Sequence, residues 1–448
     1  MKTDRSVKPL PSSEVTFNMI PYEKFSFKNG LDVYFIKKDE LPIVRINVIV
    51  NSGSKFDPAN RKGTANLLAM CLDEGAGEFN SLKLSEQFDL LGARFSLHCN
   101  SDTIQITVQT LKENFSKAMR LLSMVLKEPH LKQKDFERER RKIQTKLKQL
   151  RDDPDYIAST SFESLLFGSK NPYSYPTMGL DSDITRITNE EINLHYHNFI
   201  LPNNTFVIVT GDISEDDMRK LLEQNLSDWQ SSSFDSQFNL EKNVDSKKVY
   251  IINKKDSVQT EIRAGHHTSG RNSEDYFARH LLNTILGGQF TSRINLNLRE
   301  KHGYTYGAGS DFNYYKNSAY FDVSTSVGIE NTFNALREIF SELNNIRKGI
   351  TEEELNFAKS AIIRKFPLNF ETYGQVSSNI IGMVIHNLPF DYFNTYIENI
   401  NSVTLDAVNK AASENIFPEL TTTVLVGDKD KLAEQVKDSE FGQIEIVD

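Results

Sequence analysis

The histidines are the first residues to test for chemistry, and all nine are scattered along the chain. Glu191 and His195 stand at i and i+4, the spacing by which one helical face offers two ligands to a metal. No third ligand is obvious beside them. His195 and His197 are two apart, about 200° around a helix axis, and cannot grip one ion together. His266 and His267 are adjacent at a strand end and point to opposite faces. These histidines read as polar surface residues. The two cysteines, Cys71 and Cys99, are too few for a disulfide scaffold or a thiolate zinc site. Arg299 and Tyr306 lie seven apart, and a guanidinium and a phenol can together stabilise a developing oxyanion. Taken alone, a pair at this spacing means little and reads as a surface ion pair and a strand aromatic. There is no phosphate loop, dinucleotide fingerprint or Gly-x-Ser-x-Gly elbow.

The elements that would carry these residues read as α/β. Leu31 to Ile36 and Ile43 to Val50 alternate like paired strands. A helix follows over about Gly63 to Asp73, then a strand over Ile104 to Val108. Asn114 to Leu126 and Lys134 to Leu150 have helical periodicity, the second with Phe136, Ile143, Leu147 and Leu150 on one stripe. Asp152-Asp153-Pro154 then interrupts the pattern. Gly168 to Pro176 is rich in turn residues.

The pattern repeats. Thr188 and Thr404, Pro202 and Pro418, and the pairs Gly211-Asp212 and Gly427-Asp428 are each 216 positions apart. Glu113-Asn114 and Glu330-Asn331 are offset by 217, and the segment from Leu131 to Phe136 is offset by 219 from that at Ile350 to Leu355. Several matches in register with slow drift indicate a duplication. The expected organisation is a half over 15–230, a polar linker over 231–247 beginning at Ser231-Ser232-Ser233, and a homologous half over 248–440. Each half is expected to be a mostly antiparallel sheet packed with helices, the two arranged as a clamshell.

At 448 residues and net charge −9, with no Lys/Arg stripe interleaved with aromatics, the composition argues against a basic nucleic-acid binder. The longest apolar runs, Ile46 to Val50 and Phe206 to Val209, are strand-sized and too short to span a bilayer. The segment from Met1 to Pro11 is polar, with Lys2, Arg5 and Lys8, and lacks a secretory apolar stretch. As written the chain is expected in the cytoplasm; a chain already stripped of a signal would be periplasmic.

Two segments carry a family resemblance. Asn51-Ser52-Gly53-Ser54-Lys55-Phe56-Asp57 leads into Gly63-Thr64-Ala65-Asn66-Leu67-Leu68-Ala69-Met70-Cys71-Leu72-Asp73-Glu74-Gly75. Gly287-Gly288-Gln289-Phe290-Thr291-Ser292-Arg293 leads into Leu298-Arg299-Glu300-Lys301-His302-Gly303-Tyr304-Thr305-Tyr306. The layout resembles the insulinase/pitrilysin family of zinc peptidases, including the mitochondrial processing peptidases, over most of the chain. In that family the first segment bears H-x-x-E-H, two zinc-binding histidines and a general base. Here Asn66 stands in place of the first histidine, Ala69 of the glutamate and Met70 of the second histidine. The third ligand, a glutamate in the helix before Asp-Asp-Pro, corresponds to Lys146. An amide, a methyl, a thioether and an ammonium make no zinc site.

The second signature is intact. The resemblance implies that Arg299 and Tyr306 act at a zinc site held elsewhere, and that Gly287 and Gly288 let a substrate or partner backbone approach. The alternative for the glycines is a helix C-cap. This chain then resembles the non-catalytic subunit of a heterodimeric zinc metallopeptidase acting on extended or unfolded peptides. It would hold no cofactor itself, with zinc in a homologous H-x-x-E-H partner. Two other readings stay open. One is a structural or peptide-binding pseudoenzyme, homodimeric in isolation, like the core subunits of a respiratory complex. The other is an enzyme with a relocated metal site at Glu191 and His195.

Overall fold

The structure, a computed structural model, describes residues 15–234, 238, 240, 241, 243, 246–437 and 440–447. The polar segment from Met1 to Pro11 and part of the 231–247 linker lie outside the described residues.

The first half contains strands β1 Tyr22–Ser26, β2 Asp32–Lys37, β3 Ile43–Val50, the short pair β4 Gly75–Ala76 and β5 Phe79–Asn80, β6 Arg94–Cys99, β7 Ile104–Leu111 and β8 Thr205–Gly211. Its helices are α1 Thr64–Cys71, α2 Ser81–Leu90, α3 Phe115–Lys127, α4 Gln133–Leu150, α5 Pro154–Phe167, α6 Asp181–Arg186, α7 Asn189–Phe199 and α8 Glu215–Leu226. The second half contains β9 Lys248–Asn253, β10 Gln259–His267, β11 Ala308–Tyr314, β12 Ala319–Gly328, β13 Thr422–Gly427 and β14 Gln443–Val447. Its helices are α9 Tyr276–Leu286, α10 Arg293–Asn295, α11 Thr332–Ile346, α12 Glu352–Lys365, α13 Tyr373–Ile385, α14 Tyr396–Ser402, α15 Leu405–Asn415 and α16 Lys429–Val436.

Each half is built on a six-stranded sheet, ordered β1-β2-β8-β3-β7-β6 in the first and β14-β9-β13-β10-β12-β11 in the second. The two orders correspond strand for strand, and the repeated residues fall at equivalent places. Thr188 and Thr404 are N-caps whose side chains accept from the third backbone N–H of α7 and α15. Pro202 and Pro418 open the turns that feed β8 and β13, and Gly211 and Gly427 end those strands. The match breaks at one edge. β1 runs antiparallel to β2, whereas β14 arrives from the end of the chain and runs parallel to β9.

One expectation needs correction. β2 and β3 do not pair; β8 inserts between them, parallel to β2 and antiparallel to β3. The reason lies in the apolar pattern of β8, which is buried along its whole length. Val207 and Val209 join a core with α1, α3, α4, α7 and α8, while Phe206 and Ile208 join a core dominated by the second half. A strand that is apolar on both faces belongs in the middle of a covered sheet.

The cover on the second face is exchanged between halves. Helix α13 of the second half packs on β8 and β3 of the first. Its Tyr373 hydroxyl lies 3.0 Å from both the backbone nitrogen and the carbonyl oxygen of Leu41, and Ser377 meets Thr210 at 3.0 Å. Helix α5 of the first half packs on β13 and β10 of the second. There Ala158, Phe162 and Leu166 close a small core with Val424 and Val426. Gly265 makes room for this helix, since a Cβ there would lie 2.9 Å from the Phe162 ring. The α5 N-terminus is set by the interrupting motif: Asp153 caps it and Pro154 occupies its first position.

Replacing Phe162 with Ala is expected to cost about 3–5 kcal/mol, the range for emptying a buried phenylalanine site. Urea denaturation of the full chain measures it; a loss under about 1 kcal/mol would show that the α5 exchange contributes little.

Candidate functional site

Helix α1 is positioned by a buried carboxylate. Asp57 accepts from the backbone N–H of Gly63 at 2.7 Å and of Ala65 at 2.8 Å, so it serves as the helix N-terminal anchor. Burial raises its pKa to about 7, against the pull of those donors. Gly63 itself needs φ 101°, which favours glycine. Ala65, Leu67, Leu68, Ala69 and Cys71 face the first core. Asn66 and Met70 share the half-buried face, with the Asn66 amide nitrogen 4.0 Å from the Met70 sulfur.

Helix α4 packs on α1 in the opposite direction. Its early residues Arg138 and Lys142 pair with Glu74, just past the end of α1. Its later residue Gln144 meets Thr185 of α6, whose neighbour Ile184 lies against Gly63 at the start of α1. This places Lys146, exposed on α4, within about one helical turn of the level of Asn66. The four positions thus share one region, and their chemistry does not fit zinc: one ammonium, one amide, one thioether and one buried methyl. Among the described residues no group of three or more His, Cys, Asp or Glu side chains is arranged to hold a metal. The nearby carboxylates are engaged with cations, Glu139 with Lys142 at 2.8 Å and Asp135 with Arg138 at 2.7 Å. Burial, then Glu74, pushes Asp73 up to about 6. Cys71 is buried and free, and burial with Glu139 close by holds its thiol protonated.

The second signature is displayed outward. Arg299 sits in a π-helical turn, Leu296–Lys301, that continues α10. Its guanidinium lies 4.5 Å over the Phe290 ring, and its side chain is about one-third exposed. Tyr306 is 95% exposed, just before edge strand β11. Tyr306 is open to solvent, while Arg299 is partly covered by Phe290 and lies 3.6 Å from the Glu300 carboxylate. Gly287 ends α9 against β11, where a Cβ would fall 2.3 Å from the Ser310 nitrogen. Gly288 donates to the Asn283 carbonyl at 2.7 Å. Gly287 therefore lets α9 and β11 approach closely, while Gly288 folds back on the last turn of α9 at Asn283.

Two of these histidines, His195 and His266, are not the surface residues that their scatter suggests. His195 is buried on α7 and meets Ser52 Oγ at 2.9 Å, while His197 is exposed. Burial lowers the His195 pKa to about 4. Glu191 turns away to Arg61, at 2.7 Å, and to the Thr188 backbone in a capping box. The spacing of Glu191 and His195 thus reflects a cap and a core residue. His266 is buried, its Nε2 accepting from the Phe417 backbone at 3.0 Å, and His267 Nε2 lies 3.1 Å from the Leu166 carbonyl.

One polar centre has no sequence signal. Asp102 takes the Lys55 ammonium at 2.7 Å, the Tyr173 hydroxyl at 2.7 Å and the Lys316 backbone N–H at 2.8 Å. It locks the β11–β12 turn of the second half onto the first. Its members are separated by up to 261 positions, so no local motif could reveal it.

Two family models match the chain. One, described as Insulinase (Peptidase family M16), covers residues 33–178, and the other, described as Peptidase M16 inactive domain, covers residues 186–362. The chain is similar to an uncharacterized zinc protease of Rickettsia felis, 24% identical over 90% of this chain and 97% of that one. It is also similar to the non-peptidase homolog YmxG of Helicobacter pylori, 24% identical over 87% of this chain and 90% of that one. A solved structure of a peptidase M16 inactive domain from Pseudomonas fluorescens matches with a TM-score of 0.85 at 22% identity, covering 91% of this chain and 98% of that one. At that identity the likeness is one of fold.

Buried neutral His195 makes stability fall with acid. Its folded pKa of about 4 lies below the ordinary histidine value, so its contribution is complete above about pH 6.5 and is lost as pH falls through 4. The His195→Gln variant is expected to lose roughly 3 kcal/mol less stability than the parent between those pH values. Urea denaturation at both ends of the window measures it; identical losses would show that His195 in the fold titrates as it does in the unfolded chain.

Proposed function

Since this chain belongs to peptidase family M16, the insulinase family, and carries Asn66, Ala69 and Met70 where the family has H-x-x-E-H, we propose that it is the non-catalytic subunit of a heterodimeric metallopeptidase. The observation that carries this reading is the display of Arg299 and Tyr306 on a surface that its own chain leaves open. A guanidinium and a phenol so placed are of use to a reaction centre supplied by another molecule.

The chemistry asked of them is electrostatic. Peptide hydrolysis builds a negative tetrahedral oxygen. Donors held in place beside it stabilise that charge without reorganising, an effect of about 3–4 kcal/mol per donor removed. Arg299 brings a planar, permanently charged fork, and its stacking on Phe290 restricts the guanidinium before substrate arrives. Tyr306 brings a neutral donor. The partner is a homologous H-x-x-E-H subunit, and the substrate an extended or unfolded peptide. Edge strand β6 beside α1 offers free backbone groups for such a peptide to pair with.

With an H-x-x-E-H partner co-expressed, Arg299→Ala and Tyr306→Phe are each expected to lower kcat/KM for an unfolded peptide by about 10²–10³-fold, with the heterodimer intact by size exclusion. Turnover unchanged in both variants would overturn the assignment. A chain that elutes with no partner and only as its own dimer would favour the peptide-binding pseudoenzyme instead.

A further inference from the structure

The region that has lost its zinc chemistry has gained positive charge. Arg138, Arg141, Lys142, Thr145, Lys146 and Gln149 line a shallow concavity of about 420 Å³ along one face of α4. Arg138, Lys142 and Lys146 follow one another at four-residue spacing and Arg141 flanks them, so four cations share one broad side of α4, in a chain whose net charge is −9. Arg138 and Lys142 are engaged by Glu74, Asp135 and Glu139. Among the described residues no carboxylate is paired with Arg141 or Lys146. Asn66, about one turn from the level of Lys146, has its amide nitrogen directed only at a thioether, a weak acceptor. Free edge strand β6 packs against α1, and its Arg94 and His98 are exposed.

We propose that this face binds extended peptides through acidic side chains or a terminal carboxylate, with Lys146 and Arg141 as the cationic contacts and the Asn66 amide as a donor. The inference rests on the reading that the α1–α4–β6 face still receives peptide, and it adds the substrate class. A peptide pairing with β6 keeps its backbone hydrogen bonds with any sequence; the cations on α4 then select for negative charge. Fixed ammonium and guanidinium groups hold a carboxylate without activating it, so this face retains or orients peptide and does not cut it. A basic peptide meets uncompensated like charge at the same place.

The test uses the isolated full chain and two fluorescein-labelled peptides of about ten residues, the length of a long strand, matched except that one carries Glu where the other carries Lys. Fluorescence anisotropy is expected to show the acidic peptide binding about tenfold more tightly, a preference that shrinks at high salt. Arg141→Glu/Lys146→Glu should abolish the preference. Lys220→Glu, an exposed lysine on α8, whose neighbour Arg219 lies over Phe25 of β1 at the sheet edge opposite β6, should leave affinity within about twofold, which separates the site from general charge effects. Circular dichroism checks that the variants fold. Equal affinity for the two peptides, no binding of either, or equal effects of the Arg141/Lys146 and Lys220 changes would overturn the proposal. Because no partner or turnover enters the assay, its failure leaves the role of Arg299 and Tyr306 standing, and failure of that role leaves this binding result standing.

Discussion

The structure depends on an exchange of helices between its two halves. Each central sheet is apolar on both faces, and each half supplies its own helices for only one of them. Helix α13 covers the first sheet from the second half, and α5 covers the second sheet from the first. Removing either would open to water the apolar face on which it packs, such as Val424 and Val426 under Phe162. The halves are therefore repeats in sequence but mutually dependent in packing. The buried Asp102 centre, where Lys55, Tyr173 and the turn at Lys316 converge, reinforces the same junction with charge-assisted hydrogen bonds.

That junction gives the two chemical faces fixed places on one body. Helix α1 is held by Asp57 at its start and by α4, α7 and β6 along its sides. Its Asn66 and Met70 share the half-buried face, and its other side packs into the first core. The Arg299 and Tyr306 segment rises from the other half, braced by the close approach of α9 to β11 at Gly287. A π-helical turn at Leu296–Lys301 presents Arg299, a departure from regular geometry that often accompanies function.

Much of this was legible in the residues. Periodicity placed α3 and α4 to within a residue, because long amphipathic helices declare themselves locally. The repeated threonines, prolines and Gly-Asp pairs revealed the duplication because each has a local job as cap, turn or strand end. The pairing of β2 with β3 was misread because an alternating pattern says that a strand is half-buried but not which strand lies beside it. His195 and His266 read differently in the sequence for a related reason. A polar residue looks solvated until the partners that satisfy it, Ser52 for His195 and the Phe417 backbone for His266, are brought close in space. The i, i+4 spacing of Glu191 and His195 was a true helical spacing whose members face different tasks.

By itself the sequence determined that this chain is a duplicated α/β protein of the M16 family, and that Asn66, Ala69, Met70 and Lys146 bring an amide, a methyl, a thioether and an ammonium, because ligand chemistry is a property of residue type. It also determined that Arg299 and Tyr306 are present at the family's spacing. Only the tertiary structure decided that β8 enters between β2 and β3, that α5 and α13 cross between halves, and that Arg299 and Tyr306 open outward. The physical reason is that burial and pairing are non-local. An apolar face is satisfied by whichever surface reaches it, and an exposed donor is defined by what the rest of the chain fails to cover.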